Sequence, residues 1–158
     1  MIEVKSNYLP IFNIPYRRNP LFTGHADVLK MIHQRLVLDA RPDFTSSYVI
    51  YGLGGVGKTQ VAIEYSYLHC NDFDIIYWLR ADDYETLLTS YSQLYDDAKF
   101  RSFTGLNLGD ERDLEAIAAR VKLWFENCQD TRWLLVIDNA DKLERDSRTT
   151  TLCLLGVM

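Results

Sequence analysis

The chain has 158 residues, of which 47% are apolar and 13% aromatic, so it can bury a core as a single domain and is not disordered. Its formal net charge is −5 and its longest basic run is Arg17-Arg18, which disfavours nucleic acid as a partner. Three widely spaced cysteines, Cys70, Cys128 and Cys153, predict reduced thiols. Because neither a signal peptide nor an apolar run of roughly 20 residues is evident, we expect a cytoplasmic protein without membrane contact.

The first third of the chain predicts an extended segment, a helix and a strand. Prolines at positions 10, 15 and 20 predict an extended strap, because proline interrupts helices. Apolar residues recur at helical spacing from Ala26 to Leu38. A turn-rich connector from Arg41 to Ser47 then leads into the apolar run Tyr48 to Tyr51, which predicts a strand.

A glycine-rich loop follows this strand and precedes a helix predicted from Gln60 to Leu68. The order of strand, loop and helix is the context required of the phosphate-binding pattern GxxxxGK[ST], the Walker A motif. Glycines let backbone N–H groups face an oxyanion, and the helix beginning near Gly57 adds its unpaired N–H groups. We expect Lys58 to contact the β- and γ-phosphates and Thr59 to ligate Mg²⁺. The predicted nucleotide-binding residues of this loop are Gly52, Gly54, Gly55, Val56, Gly57, Lys58, Thr59 and Gln60.

The middle of the chain alternates between apolar runs and helical stripes. The unbroken run Asp74 to Leu79 is typical of a strand covered on both faces, as in a parallel sheet. Asp82, with Glu85 three residues later, predicts the N-cap of a helix. Residues 96–109 are polar and predict a surface loop, and a further helix is expected from about Asp110 to Cys128. This alternation predicts an α/β fold.

A second apolar run, Trp133 to Ile137, ends at Asp138. A carboxylate at the C-terminal edge of a parallel strand is positioned to hold the Mg²⁺ that Thr59 would touch, as in a Walker B element. The alternative is that Asp138 only ends the strand as a turn residue. Lys58 and Asp138 are the main catalytic candidates, and Asn139 and Asp141 are secondary ones. Asn139 cannot act as a base and Asp141 is equally compatible with capping a turn, so the sequence favours binding over rapid turnover.

Taken together, these motifs resemble the nucleotide-binding core of the NB-ARC family in the STAND class of P-loop NTPases, especially fungal members with tetratricopeptide repeats. The resemblance covers roughly residues 10–145. The matching stretches are Asn19 to Gly24, Gly52 to Gln60, Phe73 to Arg80 and Leu134 to Asp141. It implies a three-layer α/β/α P-loop fold with a mostly parallel sheet, and a switch that is closed with ADP and opens with ATP.

The resemblance also extends the predicted nucleotide site. In the family, a Phe-x-Gly-Arg-Glu stretch lies against the adenine and ribose. Here the stretch begins at Phe22, and His25 and Ala26 replace the Arg and the Glu. Phe22 and His25 are therefore candidate nucleotide-binding residues, with an ordinary surface histidine as the alternative for His25.

The prolines place a strap at 1–20, and the resemblance then predicts an NB-ARC-like domain at 21–145 and an atypical tail at 146–158. In the family, a further strand with a sensor Arg lies between the Walker A and Walker B strands, before helical and winged-helix subdomains. The tail departs from this pattern, so we expect a sheet that is incomplete at its C-terminal end. One hypothesis is that Thr149 to Val157 fills that position and pairs the open strand edges; the alternative is a disordered tail.

Three functions remain open from the sequence. The first is a switch module that binds ADP or ATP with Mg²⁺ and hydrolyses ATP slowly or not at all. The second is an active P-loop ATPase or kinase, and the third is a fragment that acts only through protein contacts. The expected partners are an adenine nucleotide and other proteins or a second copy, with no nucleic acid and no membrane.

Overall fold

A computed structural model describes residues 10–41, 44–50, 52 and 55–140, together with the backbone of residues 153–157. The strands are β1 (Ile11–Asn13), β2 (Ser46–Val49), β3 (Ile75–Arg80), β4 (Trp133–Asp138) and β5 (Cys153–Val157). The helices are α1 (Ala26–His33), α2 (Lys58–Leu68), α3 (Tyr84–Asp96), α4 (Ala98–Thr104) and α5 (Leu114–Asn127). A π-helical segment, Gln34–Leu38, continues α1.

The five described strands form one sheet in the order β1-β3-β4-β5-β2. β1, β3 and β4 are parallel neighbours, whereas β5 is antiparallel to both β4 and β2. β2 therefore runs in the same direction as β4. This mixed α/β architecture with three adjacent parallel strands is compatible with the predicted P-loop fold.

β5 lies between β2 and β4, which is the position hypothesised for a strand within Thr149 to Val157. Val49 of β2 is paired with Cys153, and Val136 of β4 is paired with Leu154. The hypothesis is confirmed for the backbone of Cys153–Val157, and residues 149–152 lie outside the described part. Pairing on both sides satisfies backbone N–H and C=O groups that would otherwise be exposed at two strand edges.

Apolar side chains cover both faces of the central strands. Ile75, Tyr77 and Leu79 of β3 pack with α3, α4 and α5 in one core cluster. Ile76 and Trp78, the intervening residues of β3, pack with α1 and α2 in a second cluster. Because successive side chains of a strand point to opposite faces, a strand buried on both sides reads as a continuous apolar run. Helices on both faces agree with the predicted three layers.

The prediction of a surface loop at residues 96–109 is wrong in its first half. Helix α4 occupies Ala98–Thr104, and its residue Phe100 is fully buried, with 0% exposure. The side chain of Asp97 accepts hydrogen bonds from the backbone N–H groups of Lys99 and Phe100 and so caps the helix. The polar composition of residues 96–109 led to the prediction of a loop, although Phe100 anchors a short helix to the core.

The predicted N-cap of α3 is also wrong by one residue. Asp83, not Asp82, caps the helix, because its carboxylate accepts hydrogen bonds from both the backbone N–H and the hydroxyl of Thr86. The next long helix, α5, begins at Leu114 with Asp113 as its cap, four residues after the predicted start.

Within the predicted N-terminal strap, the described residues 10–20 include β1, which belongs to the sheet. Ile11 of β1 is paired with Ile75 of β3, whereas residues 1–9 lie outside the described part. Cys70 and Cys128 are free and half-buried, and the side chain of Cys153 is not among those described. In the described residues, every helix is too short or too polar to cross a membrane.

Candidate functional site

The glycine-rich loop has backbone angles that explain its composition. Gly55 and Gly57 have φ angles of 83° and 88°, in the left-handed region that favours glycine. Gly52 has a φ angle of 154°, and a Cβ atom added there would lie 2.9 Å from Cγ2 of Val56. The loop therefore needs glycine at each of these three positions. Gly54 lies outside the described residues.

Lys58, the first residue of α2, folds back over the loop. Its ammonium group donates a hydrogen bond to the carbonyl oxygen of Gly52 at 2.6 Å. This contact joins the positively polarised end of α2 to Gly52 at the start of the glycine-rich stretch. The side chains of Val56 and Gln60 are exposed.

Thr59 and Asp138 are in contact although they are 79 positions apart in the chain. The Thr59 hydroxyl donates a hydrogen bond to Oδ1 of Asp138 at 3.2 Å, and the Asn139 backbone N–H donates to the same oxygen at 3.0 Å. Asp138 is the last residue of β4 and is only 4% exposed. The structure thus brings the two predicted magnesium ligands together at the C-terminal edge of the sheet.

A second carboxylate, Asp82, lies at the same edge. Its Oδ1 accepts a hydrogen bond from Nδ2 of Asn139 at 3.0 Å, and its Oδ2 accepts one from the Arg80 guanidinium at 2.8 Å. Asn139 has a φ angle of 64°, which asparagine tolerates better than most residues. Ala81 adds a backbone hydrogen bond to the carbonyl of Asp138 at 2.8 Å. These contacts lock the ends of β3 and β4 together.

This role of Asp82 was not predicted from the sequence, because the same residue is a plausible helix cap. Its position directly after a buried strand was the available signal, since the carboxyl ends of parallel strands meet at one edge of the sheet. Of the two secondary catalytic candidates, the Asn139 side chain binds Asp82, and Asp141 lies outside the described residues.

Phe22 and His25 lie near each other in front of α1, with ring centroids 6.2 Å apart. Phe22 packs against the core beneath α1 and α2, and His25 is exposed with a φ angle of 56°. Within the described residues, no hydrogen bond joins either side chain to the glycine-rich loop. The structure therefore places Phe22 and His25 near each other, without a described hydrogen bond from either side chain to the predicted phosphate site.

The strap is attached to α2, the helix that follows the glycine-rich loop. Arg18 donates two hydrogen bonds to the carboxylate of Glu64, at 3.0 and 2.8 Å, in a bidentate pair. The Tyr67 hydroxyl donates to the carbonyl of Tyr16 at 2.8 Å, and the Tyr16 ring packs edge-on against Trp78. Residues before α1 thus contribute to the position of α2.

The chain is similar to a curated protein of the fungus Hyaloscypha variabilis described as a "Nucleotide-binding leucine-rich repeat (NLR)-like protein". The identity is 26% over 147 residues, which cover 89% of this chain and 14% of that protein's length. No protein-family model matches the chain, and no solved structure gives a significant match. The similarity suggests a relationship with NLR-like proteins at the level of the family.

Proposed function

We propose that this chain binds ADP or ATP together with Mg²⁺ and acts as the switch module of a STAND-type signalling protein, with slow or no hydrolysis. The observation that carries the proposal is the 3.2 Å contact between Thr59 and Asp138, beside a loop that requires glycine at three positions. A phosphate loop and a Walker B carboxylate must converge in this way to hold a metal-bound nucleotide.

The phosphates bind at the loop and at the start of α2. Backbone N–H groups of the loop and of the first helical turn supply donors, and the helix dipole adds partial positive charge. Lys58 adds a full charge, and its ammonium group is already held over the loop by the Gly52 carbonyl. A phosphate oxygen that replaces this carbonyl as acceptor gains a charge-assisted hydrogen bond.

Thr59 and Asp138 form a donor set that suits Mg²⁺, which prefers oxygen ligands. Their oxygens are 3.2 Å apart, close to the distance of about 2.9 Å between adjacent ligands of an octahedral ion with bonds of 2.0–2.1 Å. When bound, Mg²⁺ neutralises charge on the phosphates. Asn139 and Thr59 orient the carboxylate through the hydrogen bonds that both donate to Oδ1 of Asp138.

Slow hydrolysis follows from the groups beside Asp138. Asn139, the next residue, carries an amide that cannot accept a proton, and this amide is bound to Asp82. Asp82 in turn accepts hydrogen bonds on both of its oxygens, from Asn139 on one and from the Arg80 guanidinium on the other. Neither group is arranged to deprotonate water, so nucleotide exchange rather than turnover is the expected event.

Adenine preference and the signalling role rest on resemblance. Phe22 and His25 would contact the adenine and ribose, as the corresponding stretch does in NB-ARC proteins. The similarity to an NLR-like protein supports signalling through other proteins or through a second copy. The chain spans 14% of that relative's length.

The test is to measure nucleotide retention and phosphate release with the same purified chain. Radiolabelled ADP and ATP are bound in the presence of Mg²⁺, separated by rapid gel filtration, and assayed for released phosphate. We expect nucleotide to be retained with less than one turnover during the assay. Multiple turnovers would instead identify an active ATPase, and failure of the well-folded chain to bind either nucleotide would overturn the proposal.

A further inference from the structure

Two histidines and one aspartate form a cluster far from the glycine-rich loop. One ligand atom each of His33, His69 and Asp72 lies within 4.8 Å of the others, and all three residues are half-buried. We propose that these residues bind a divalent transition-metal ion of the kind that prefers imidazole ligands, with Zn²⁺ as the best fit. The proposal is independent of nucleotide binding.

The three residues of the cluster lie at the ends of two helices and in the turn that follows the second helix. His33 is the last residue of α1, and His69 directly follows α2, where its backbone N–H donates to the carbonyl of Tyr65. Asp72 follows in a tight turn, in which its backbone N–H donates to the carbonyl of His69 at 3.0 Å. The three ligands therefore join the ends of two helices that pack against the same core.

Two of the proposed ligands are already in contact. Nδ1 of His69 lies 2.7 Å from Oδ2 of Asp72, so an ion that replaces the proton shared by these atoms would meet a nitrogen and a carboxylate oxygen side by side. The third ligand, His33, has its Nδ1 atom 3.4 Å from the Tyr65 hydroxyl. When Nδ1 of His33 carries the ring proton and donates it to this hydroxyl, Nε2 is available to a metal.

Metal binding requires a modest rearrangement of the two rings. The rings of His33 and His69 stack with centroids 4.0 Å apart and an interplanar angle of 17°. The in-plane lone pairs of stacked rings run side by side, so at least one ring must rotate to converge on an ion. Ligands at 2.0–2.1 Å in a tetrahedral zinc site are about 3.4 Å apart. Side-chain rotation of half-buried residues can close the remaining distance from 4.8 Å.

The ligand chemistry selects the ion. Two imidazoles and a carboxylate favour Zn²⁺, Cu²⁺ or Ni²⁺, whereas Mg²⁺ and Ca²⁺ prefer all-oxygen sites. Partial exposure leaves room for a water molecule as the fourth ligand. This donor set differs from the oxygen pair of Thr59 and Asp138.

The two sites are also separated in space. Thr59 is in the first turn of α2 and His69 follows its last residue, so the helix rise alone places them about 15 Å apart. Metal binding at the cluster can therefore be measured without nucleotide and with excess Mg²⁺, which would saturate any site at Asp138.

The experiment is a Co²⁺ titration of the full chain, followed by visible absorption and then by Zn²⁺ displacement. We expect the absorption of a low-symmetry, four- or five-coordinate Co²⁺ complex at one equivalent, and its loss when Zn²⁺ is added. The double variant His33→Gln/His69→Gln should lose this signal. Asp72→Asn replaces an anionic ligand by a neutral one and should bind at least about tenfold more weakly, since loss of even an outer-shell partner has that effect. His25→Gln is the matched control, because it changes the remaining histidine of the chain, which is exposed.

A second readout separates metal binding from folding. Zn²⁺ should raise the thermal unfolding midpoint of the wild type and of His25→Gln, because an ion that binds only the native state stabilises it. The double variant, first shown to be folded by near-ultraviolet circular dichroism, should show no such rise. Absence of Co²⁺ absorption in the folded wild type, or equal Zn²⁺ affinity of the wild type and the folded double variant, would overturn the proposal.

Discussion

The ammonium group of Lys58 provides the sharpest test of the phosphate site. Its hydrogen bond to the Gly52 carbonyl lies at the protein surface, so Lys58→Ala removes a contact that is exchanged easily for water. Because the bond is exposed to water, its loss should change the free energy of unfolding by about 0.5 kcal/mol, as is usual for surface substitutions. The variant should therefore fold with nearly unchanged stability.

Its effect on nucleotide affinity should be much larger. A hydrogen bond between charged groups contributes roughly 1.5–3 kcal/mol. Because each 1.4 kcal/mol corresponds to a factor of ten, loss of one such bond weakens ADP binding by about 12- to 140-fold. ATP offers a γ-phosphate as a second acceptor for Lys58, so its affinity should fall by at least as much as that of ADP.

Isothermal titration calorimetry with ADP and ATP, combined with urea denaturation, measures both quantities. Lys99→Ala is the matched control, since Lys99 is an exposed lysine at the start of α4, on the opposite face of the sheet from α2. We expect the control to bind both nucleotides like the wild type. The reasoning would be refuted if Lys58→Ala bound ADP within twofold of the wild type, or if it lost more than about 2 kcal/mol of stability, since Lys58 would then serve the fold.

Three further predictions follow from the described contacts. Asp138→Asn should reduce the gain in ATP affinity that Mg²⁺ provides while leaving metal-free ADP binding nearly unchanged; unchanged metal dependence in calorimetry would make Asp138 a turn residue. Phe100→Ala should lower the free energy of unfolding by about 3–5 kcal/mol in urea denaturation, because the ring is fully buried. The half-buried Phe103 is its control, and a smaller loss for Phe100→Ala than for Phe103→Ala would contradict the buried position of α4. Arg18→Ala should lower the thermal unfolding midpoint, because it leaves the buried Glu64 carboxylate without its guanidinium partner. Adding Glu64→Gln removes the unpaired charge and should recover part of the loss. No recovery in the double variant would show that the ion pair is not the cause.

Local pattern determined the elements that the sequence predicted correctly. β3 and β4 are continuous apolar runs because helices cover both of their faces, and this burial is visible in composition alone. The glycine-rich loop was also predicted correctly. The positive φ angles of Gly55 and Gly57 depend only on the local backbone, and glycine adopts them without steric strain. The position of Asp138 at the end of β4 was predicted because Asp138 is the first polar residue after the apolar run Trp133 to Ile137.

Short-range pattern failed where two adjacent residues could perform the same task or where an element was short. Asp82 and Asp83 are both of a residue type that caps helices. The carboxylate of Asp82 is bound to Arg80 at the end of β3 and to Asn139 directly after β4. Asp83 is therefore the residue that caps α3. The seven-residue helix α4 is too short to show a recognisable helical periodicity in the sequence. It is stabilised by tertiary packing, because Phe100 is buried against the rings of Trp124 and Phe125, which are distant in the chain.

The amino-acid sequence by itself determined which groups carry chemistry: the loop glycines, Lys58, Thr59 and the carboxylate of Asp138. Tertiary structure decided which of them meet. β5 enters antiparallel between β2 and β4 and links the strand before the loop to the strand that ends at Asp138. The contact between Thr59 and Asp138 depends on that arrangement, as the histidine cluster depends on helix packing, because residues distant in the chain are neighbours only through the fold.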